Sequence, residues 1–290
     1  MMNTKVALKQ LMTTHFITVD VLPCPECGGA MTAWKEPTPD TPPRCPPVCM
    51  ECGYRSVKKK EATTAKNLYE SSLIKKAKDY FLNGSVLTDR KSLHKKIGNY
   101  YPSNQESTKA KNISMEFCEK TLLGEIHHLI LTGGVGVGKS HLAIGCLNEI
   151  LVKSNYSKKV LFVSYRELLE QLKFAMNDEE ARKAITGVAM SEIKAADVVV
   201  LDDIGAELGD FNKRDEKGNL ILSRASNFDI DTLTGILESR IDKPTIITSN
   251  LKSKEIQYCY GERIVSRMAT HSNGFMHRFT NTKDYRLKTA

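Results

Sequence analysis

The sequence has no long hydrophobic run. Its longest apolar stretches, such as Val198–Leu201, fall far short of the roughly 20 residues that a membrane-spanning helix needs. No apolar segment of the kind that marks a secretory signal follows the first residues. We therefore expect a cytoplasmic protein with no membrane partner. Because disulfides are rare in that reducing compartment, the eight cysteines favour metal ligands over a disulfide framework.

The composition also lacks the polar bias of a disordered chain. Hydrophobic residues make up 41% and charged residues 26% of the 290 positions, which is ordinary for a soluble globular protein. The net charge of +8 is unevenly placed, because residues 1–105 carry 16 Lys and Arg against 9 Asp and Glu. A basic N-terminal third suits an acidic partner such as nucleic acid, or it serves as a solubilising surface and linker.

Three stretches of the chain differ in composition. Residues 20–57 are rich in Cys, Pro and Gly, and residues 58–105 are rich in Lys, with apolar spacing that predicts a helix over about 63–83. Residues 106–290 alternate strand-like runs with amphipathic helical ones. This alternation is typical of an α/β fold in which helices cover a parallel sheet.

The pattern of the last stretch predicts individual elements. The predicted strands are His128–Leu131, Val160–Ser164, Asp197–Leu201 and Pro244–Ser249. The predicted helices cover 139–151, 165–175, 178–192, 230–241 and 254–267, with a polar insertion at 205–227 and an ambiguous end at 275–285.

A phosphate-binding loop follows the first of these strands. Residues 133–140, GGVGVGKS, fit G-x-x-x-x-G-K-[ST] between a predicted strand and a predicted helix. Glycines let backbone N–H groups turn towards phosphate oxygens, and the helix N-terminus favours the same anion. Lys139 would contact the β- and γ-phosphates, and Ser140 would offer its hydroxyl to Mg²⁺. The alternative is a Gly-rich turn without a ligand.

Two acids end the predicted strand 197–201. Asp202 would hold Mg²⁺ beside Ser140, and Asp203 would polarise an attacking water as general base. Adjacent acids after a strand are otherwise a turn or a helix cap. Asn250 ends the next strand and would orient the water if the two strands are neighbours; otherwise it is a turn residue.

Arginines occur near the end of the chain. Arg263 and Arg267 lie four residues apart on one helix face, and Arg286 lies near the C-terminus. An arginine from a neighbouring subunit can neutralise transition-state charge on a γ-phosphate. The alternative is a surface ion pair with an acid such as Glu262.

Four segments together carry a resemblance. GGVGVGKSHLA, VVVLDDIG, PTIITSNL and YGERIVSRM, in this order, resemble the bacterial replicative-helicase loaders of the DnaC/DnaI type, which are AAA+ P-loop ATPases, over about residues 95–290. Transposition-helper ATPases of the IstB type share these motifs. The insertion at 205–227 is longer than the family pattern implies.

The resemblance implies roles for individual residues. It places Asp202 and Asp203 in the Walker B motif, Asn250 at sensor 1 and Arg267, more than Arg263, as arginine finger. Arg286 is a candidate sensor 2, although Asp284 replaces the family's serine. The implied nucleotide-binding residues are Gly133, Gly134, Val135, Gly136, Val137, Gly138, Lys139, Ser140, His141, Arg263 and Arg286.

The N-terminal cysteines form two C-x-x-C-G motifs. They are Cys24 with Cys27, and Cys49 with Cys52, with 21 residues between the pairs. Two such pairs predict a closed, structural four-cysteine Zn²⁺ site of the zinc-ribbon kind. Cys45 could replace Cys49, and a redox role for the pairs is the other alternative.

From these observations we expect a zinc-ribbon-like module over 1–60, a basic helical linker over 61–95 and an AAA+ domain over 96–290. The resemblance implies an ATP- and Mg²⁺-dependent loader that self-associates, binds a hexameric replicative helicase through residues 1–85 and engages single-stranded DNA. The alternatives are a transposition-helper ATPase on duplex DNA and a non-hydrolysing adaptor switched by nucleotide.

Overall fold

The computed structural model describes residue 14 and residues 16–19, 22–35, 45–175, 187–208 and 223–288. The chain divides into two compact units, residues 1–72 and 73–290. The three-part division at 60 and 95 stays a prediction. Residues 178–186 of a predicted helix and most of the predicted insertion, residues 209–222, lie outside the described residues.

The first unit contains a small antiparallel sheet in the order β1-β2-β3. The strands are β1 (Phe16–Val19), β2 (Met31–Trp34) and β3 (Val48–Cys49). Among the described residues of this unit, the buried apolar cluster consists of Cys24, Met31 and Cys49, with Tyr54 packed against them. A cross-link adds most to stability where an apolar cluster is this small.

The second unit is built on a parallel five-stranded sheet, which confirms the predicted α/β fold. The strand order is β5-β6-β7-β4-β8, and every pairing is parallel. The strands are β4 (His128–Gly133), β5 (Val160–Ser164), β6 (Val198–Ile204), β7 (Thr245–Ser249) and β8 (Met276–Phe279).

Helices cover both faces of this sheet. Alternate strand residues pack into two separate cores, so that Leu129 and Leu131 join one and Ile130 joins the other. Helix α1 is Ser56–Gly84; the helices after it are α2 (Gln105–Leu122), α3 (Lys139–Lys153), α4 (Tyr165–Ala175), α5 (Met190–Ala195), α6 (Asn227–Ser239), α7 (Ser253–Tyr260) and α8 (Glu262–Ala269). Among the described residues, no helix has both the length and the apolar character needed to cross a bilayer.

The residues after α1 close the free edge of β5. Val86 N donates to Phe162 O at 2.9 Å, and Ser164 N donates to Val86 O at 2.8 Å. Phe162 N also donates to Ser85 Oγ at 3.0 Å. This short segment therefore satisfies backbone groups that the edge strand would otherwise expose.

The structure differs from the predicted elements at three places. The predicted helix 254–267 is two helices, because Gly261 has φ of 89° and interrupts the turn. Helix α2 has no counterpart among the predicted elements. The ambiguous end contains the edge strand β8, which pairs with β4 in parallel.

Candidate functional site

The predicted phosphate loop joins β4 to α3, which begins at Lys139. Within the loop, Gly136 and Gly138 have φ of 74° and 96°, in the left-handed region that favours glycine. A Cβ at Gly138 would lie 2.5 Å from the ring of Tyr100, and one at Gly136 would lie 1.8 Å from the Asp284 carboxylate. Both backbone conformation and close packing therefore require glycine here.

Lys139 connects the loop to the end of β7. The residue is 6% exposed, and its Nζ donates to Gly133 O at 2.8 Å, to Gly134 O at 2.7 Å and to Asn250 Oδ1 at 2.8 Å. Desolvation lowers the pKa of Lys139, and the two carboxylates at the end of β6 oppose that shift. The ammonium group thus lies where the loop, β7 and the acid pair meet.

The acid pair lies at the carboxyl end of β6, beside the start of α3. Ser140 Oγ donates to Asp202 Oδ2 at 3.0 Å, and Thr248 Oγ1 donates to Asp202 Oδ1 at 2.7 Å. Desolvation raises the pKa of Asp202 to about 6, although hydrogen bonds from Thr248 and Ser140 oppose it. A hydroxyl and a carboxylate side by side are the oxygen ligands that Mg²⁺ prefers, so these residues fit the ion.

Asn250 meets the condition set for its role, because β7 is the neighbour of β6. Its Nδ2 donates to Asp203 Oδ1 at 2.6 Å, while its Oδ1 accepts from Lys139. Desolvation raises the pKa of Asp203, and the positive charge of Lys139 lowers it. A single amide side chain therefore connects the loop lysine to the second acid.

A cavity of about 340 Å³ opens at the loop, within the size range of small-ligand sites. The expected residues that line it are Val135, Gly136, Gly138, Lys139, Ser140, His141, Asp203, Asn250 and Arg286. Gly133, Gly134 and Val137 belong to the loop but not to the lining. The lining residues that sequence reasoning did not assign are Lys95, Asn99, Tyr100, Tyr101 and Tyr285. No motif marks the first four, whereas Tyr285 lies between Asp284 and Arg286 in the segment that resembles the family's C-terminal motif.

The C-terminal segment runs over the phosphate loop. Tyr285 N donates to Gly136 O at 3.1 Å, and Arg286 N donates to Asp284 Oδ1 at 2.8 Å. These contacts bring Arg286 to the cavity, where a second cation beside Lys139 suits a polyphosphate.

Glu106, near the start of α2, fixes residues 280–282, which lead into that C-terminal segment. Its carboxylate accepts from the backbone N–H groups of Thr280, Asn281 and Thr282, at 2.7, 3.1 and 2.9 Å, and from both threonine hydroxyls. Although desolvation opposes it, hydrogen bonding from Thr282 and Thr280 lowers the pKa of Glu106 to about 2. No sequence motif indicates this residue.

The two arginines of α8 do not line the cavity of their own chain. Both donate to the same oxygen, Oε1 of Glu238 on α6, with Arg263 at 2.7 Å. Glu262, which the sequence offered as an ion-pair partner for these arginines, is not the acid that they contact. The arginine nearer the C-terminus, Arg267, is the less exposed of the two side chains.

The four predicted cysteines form one cluster. The sulfur atoms of Cys24, Cys27, Cys49 and Cys52 all lie within 4.8 Å of one another. Each pair is followed by a turn in which the next glycine N–H donates to the first cysteine carbonyl, at 2.9 Å in both. Four converging thiols suit a tetrahedral Zn²⁺. Cys45 lies outside the cluster, so Cys49 supplies the third sulfur.

Comparison with known proteins shows a family for most of the chain. Residues 85–288 match the family described as IstB-like ATP binding protein. The replicative helicase loader DnaC of Escherichia coli strain K12 is 23% identical over 145 residues, as is the loader of the same name from Shigella flexneri. That match covers 50% of this chain and 51% of each loader, so the chain spans about half the length of the curated relatives it matches.

Solved structures show the same fold. A crystal structure of the DnaC helicase loader has a TM-score of 0.52 at 22% identity, covering 66% of this chain and 99% of that one. A crystal structure of DnaI has a TM-score of 0.53 at 22% identity, covering 68% and 96%. At this identity the likeness shows a shared fold, in agreement with the predicted α/β fold.

We expect Glu106→Gln to destabilise the protein by about 1 kcal/mol at pH 7, because charge-assisted hydrogen bonds are lost from a partly exposed group. Since the folded-state pKa of Glu106 lies below its ordinary value, its contribution is present above about pH 4.5 and is lost as the pH falls towards 2. Urea unfolding at a series of pH values measures the difference.

The exposed Glu116 on the same helix is the matched control. Glu116→Gln should stay within about 0.5 kcal/mol of wild type. A Glu106→Gln effect that is the same at pH 3 as at pH 7 would contradict the interpretation of the carboxylate.

Proposed function

Because the chain belongs to the IstB-like ATP binding proteins, we propose that it hydrolyses ATP to load a replicative DNA helicase onto single-stranded DNA. The observation that carries the proposal is the hydrogen-bonded series from Lys139 through Asn250 to Asp203 at the rim of a parallel sheet. The curated relatives named as helicase loaders support the biological role.

In this proposal the loop backbone and Lys139 bind the triphosphate. Lys139 exchanges its carbonyl contacts for phosphate oxygens, and Arg286 adds a second positive charge from the same chain. Ser140 and Asp202 would hold Mg²⁺, which when bound neutralises charge on the phosphates. Asp203, oriented by Asn250, accepts a proton from the attacking water.

A neighbouring copy completes the site in this proposal. Arg267 would reach the γ-phosphate bound to an adjacent chain, a contact worth about 10³–10⁵ in kcat in other phosphate-transferring enzymes. Within one chain its guanidinium is bound to Glu238, so Arg267 has to leave that carboxylate. Turnover should therefore be slow for isolated chains and faster after self-association.

Two substitutions separate these roles. Lys139→Ala should abolish tight ATP binding, because the loop loses its cation. Arg267→Ala should bind ATP within about twofold of wild type and lose turnover by about 10³-fold or more. A fluorescent ATP analogue measures binding, and phosphate release at increasing protein concentration measures turnover. Equal loss of binding in the two variants would contradict the role of Arg267 in an adjacent site.

The first unit would form the zinc module of the loader. Its four clustered thiols would hold Zn²⁺, which supplies a structural cross-link that the small apolar core lacks. By the family resemblance, residues 1–85 would bind the helicase. The basic excess of the N-terminal third suits DNA held close to that complex.

The zinc site has a matched control within the same unit. We expect one Zn²⁺ per purified chain, and Cys49→Ser should lose most of it, because three thiolates hold zinc far less tightly than four. Cys45→Ser should keep full zinc content, since Cys45 lies outside the cluster. Metal analysis by mass spectrometry reports both, and zinc loss from Cys45→Ser alone would contradict the assignment.

The family match also favours a second candidate, a transposition-helper ATPase that acts with a transposase on duplex DNA. Co-purification with the replicative helicase of the same cell, with and without ATP, separates the two. We expect a complex that Lys139→Ala weakens, because that variant cannot reach the ATP-bound state. No complex in either condition would favour the transposition helper.

A non-hydrolysing adaptor is tested by turnover. With single-stranded DNA present and at every protein concentration, an adaptor would bind ATP and release no phosphate. The loader should release phosphate under the same conditions.

A further inference from the structure

The pairing of β6 with β7 carries one extra residue at the acid pair. Leu201 pairs with Ile247, but Ile204 pairs with Ser249. The two acids of β6 therefore lie opposite a single residue of β7, which is Thr248. Such a bulge interrupts the ladder of hydrogen bonds and turns side chains in a new direction.

The bulge places Asp203 in an unusual conformation. Its φ is 58°, in the left-handed region that aspartate enters more readily than most residues. Its N–H donates to the side-chain hydroxyl of Thr248, at 2.8 Å. A side chain of β7 thus holds the backbone of β6 at the bulge.

The Thr248 hydroxyl is used twice. It accepts from Asp203 N and donates to Asp202 Oδ1 at 2.7 Å. Thr248 is fully buried, so water does not substitute for it. Since Ser140 donates to the other oxygen of Asp202, both carboxylate oxygens have a fixed partner.

We propose that Thr248 is a positioning residue for Mg²⁺: its hydroxyl orients the Asp202 carboxylate towards Ser140 and holds the backbone at the bulge. This inference rests on the proposed role of Asp202 and Ser140 as the magnesium-holding pair. Partners of metal ligands commonly change metal affinity by about 10- to 100-fold when removed. Thr248 does not line the cavity, and its hydroxyl contacts Asp202 and Asp203 rather than the loop or Lys139, so we expect nucleotide binding without Mg²⁺ to change little when the hydroxyl is removed.

The test compares Thr248→Val, which keeps the shape and removes the hydroxyl, with Thr248→Ser, which keeps the hydroxyl. A fluorescent ATP analogue is titrated in EDTA and then at increasing Mg²⁺. For Thr248→Val we expect the affinity for the ATP analogue in EDTA to be within about twofold of wild type. The Mg²⁺ concentration that gives half of the full increase in affinity should rise about tenfold. Thr248→Ser should need the wild-type amount of Mg²⁺.

An unchanged Mg²⁺ requirement in Thr248→Val overturns the inference, and so does a Thr248→Ser variant as impaired as Thr248→Val. The inference is also overturned if Thr248→Val weakens binding of the ATP analogue as much in EDTA as in Mg²⁺, because a general loss of packing then explains the effect. If Thr248→Val does not fold, as thermal unfolding would show, Thr248→Ala replaces it in the same comparison. Wild-type binding that does not respond to Mg²⁺ contradicts the proposed ATP site itself, which separates the two failures.

Discussion

The position of β7 between β4 and β6 is the constraint on which the site depends. Because all three strands are parallel, their carboxyl ends meet at one edge of the sheet. β4 delivers the loop, β6 delivers the acids, and β7 inserts Asn250 between them. The amide contacts Lys139 on one side and Asp203 on the other. A different strand order would separate the same motifs by the width of a strand.

Segments outside the motifs hold this edge in place. Glu106 fixes the residues after β8, which carry Arg286 to the cavity. Tyr100 packs against Gly138 and donates to Val137 O at 3.3 Å. Glu238 holds both arginines of α8, which lie outside the cavity lining of their own chain. The phosphate loop and the segment that carries Arg286 are therefore supported by side chains from α2 and the segment before α2, which have no motif of their own.

Local pattern predicted the elements that carry the chemistry. Val160–Ser164 and Tyr165–Ala175 have their predicted bounds. There the spacing of the apolar residues and the turn residues indicate the same boundaries. The acids, the loop and the clustered cysteines were recognisable because their spacing along the chain is itself the chemical requirement. Glu106, Glu238 and Thr248 were not, because each acts on a partner at least 25 residues away in sequence or across a bulge. Strand order and register are needed to find such residues.

The bridge that Val86 forms with β5 has a further consequence. The last turns of α1 are anchored beside it, because Phe81 is buried in a core of the second unit and Tyr80 Oη donates to Glu192 Oε2 at 2.7 Å. β5 lies beside β6, and Ser164 is in register with Asp202. A shift of the last turns of α1 would therefore be transmitted through Val86 to β5, the strand next to the acid pair.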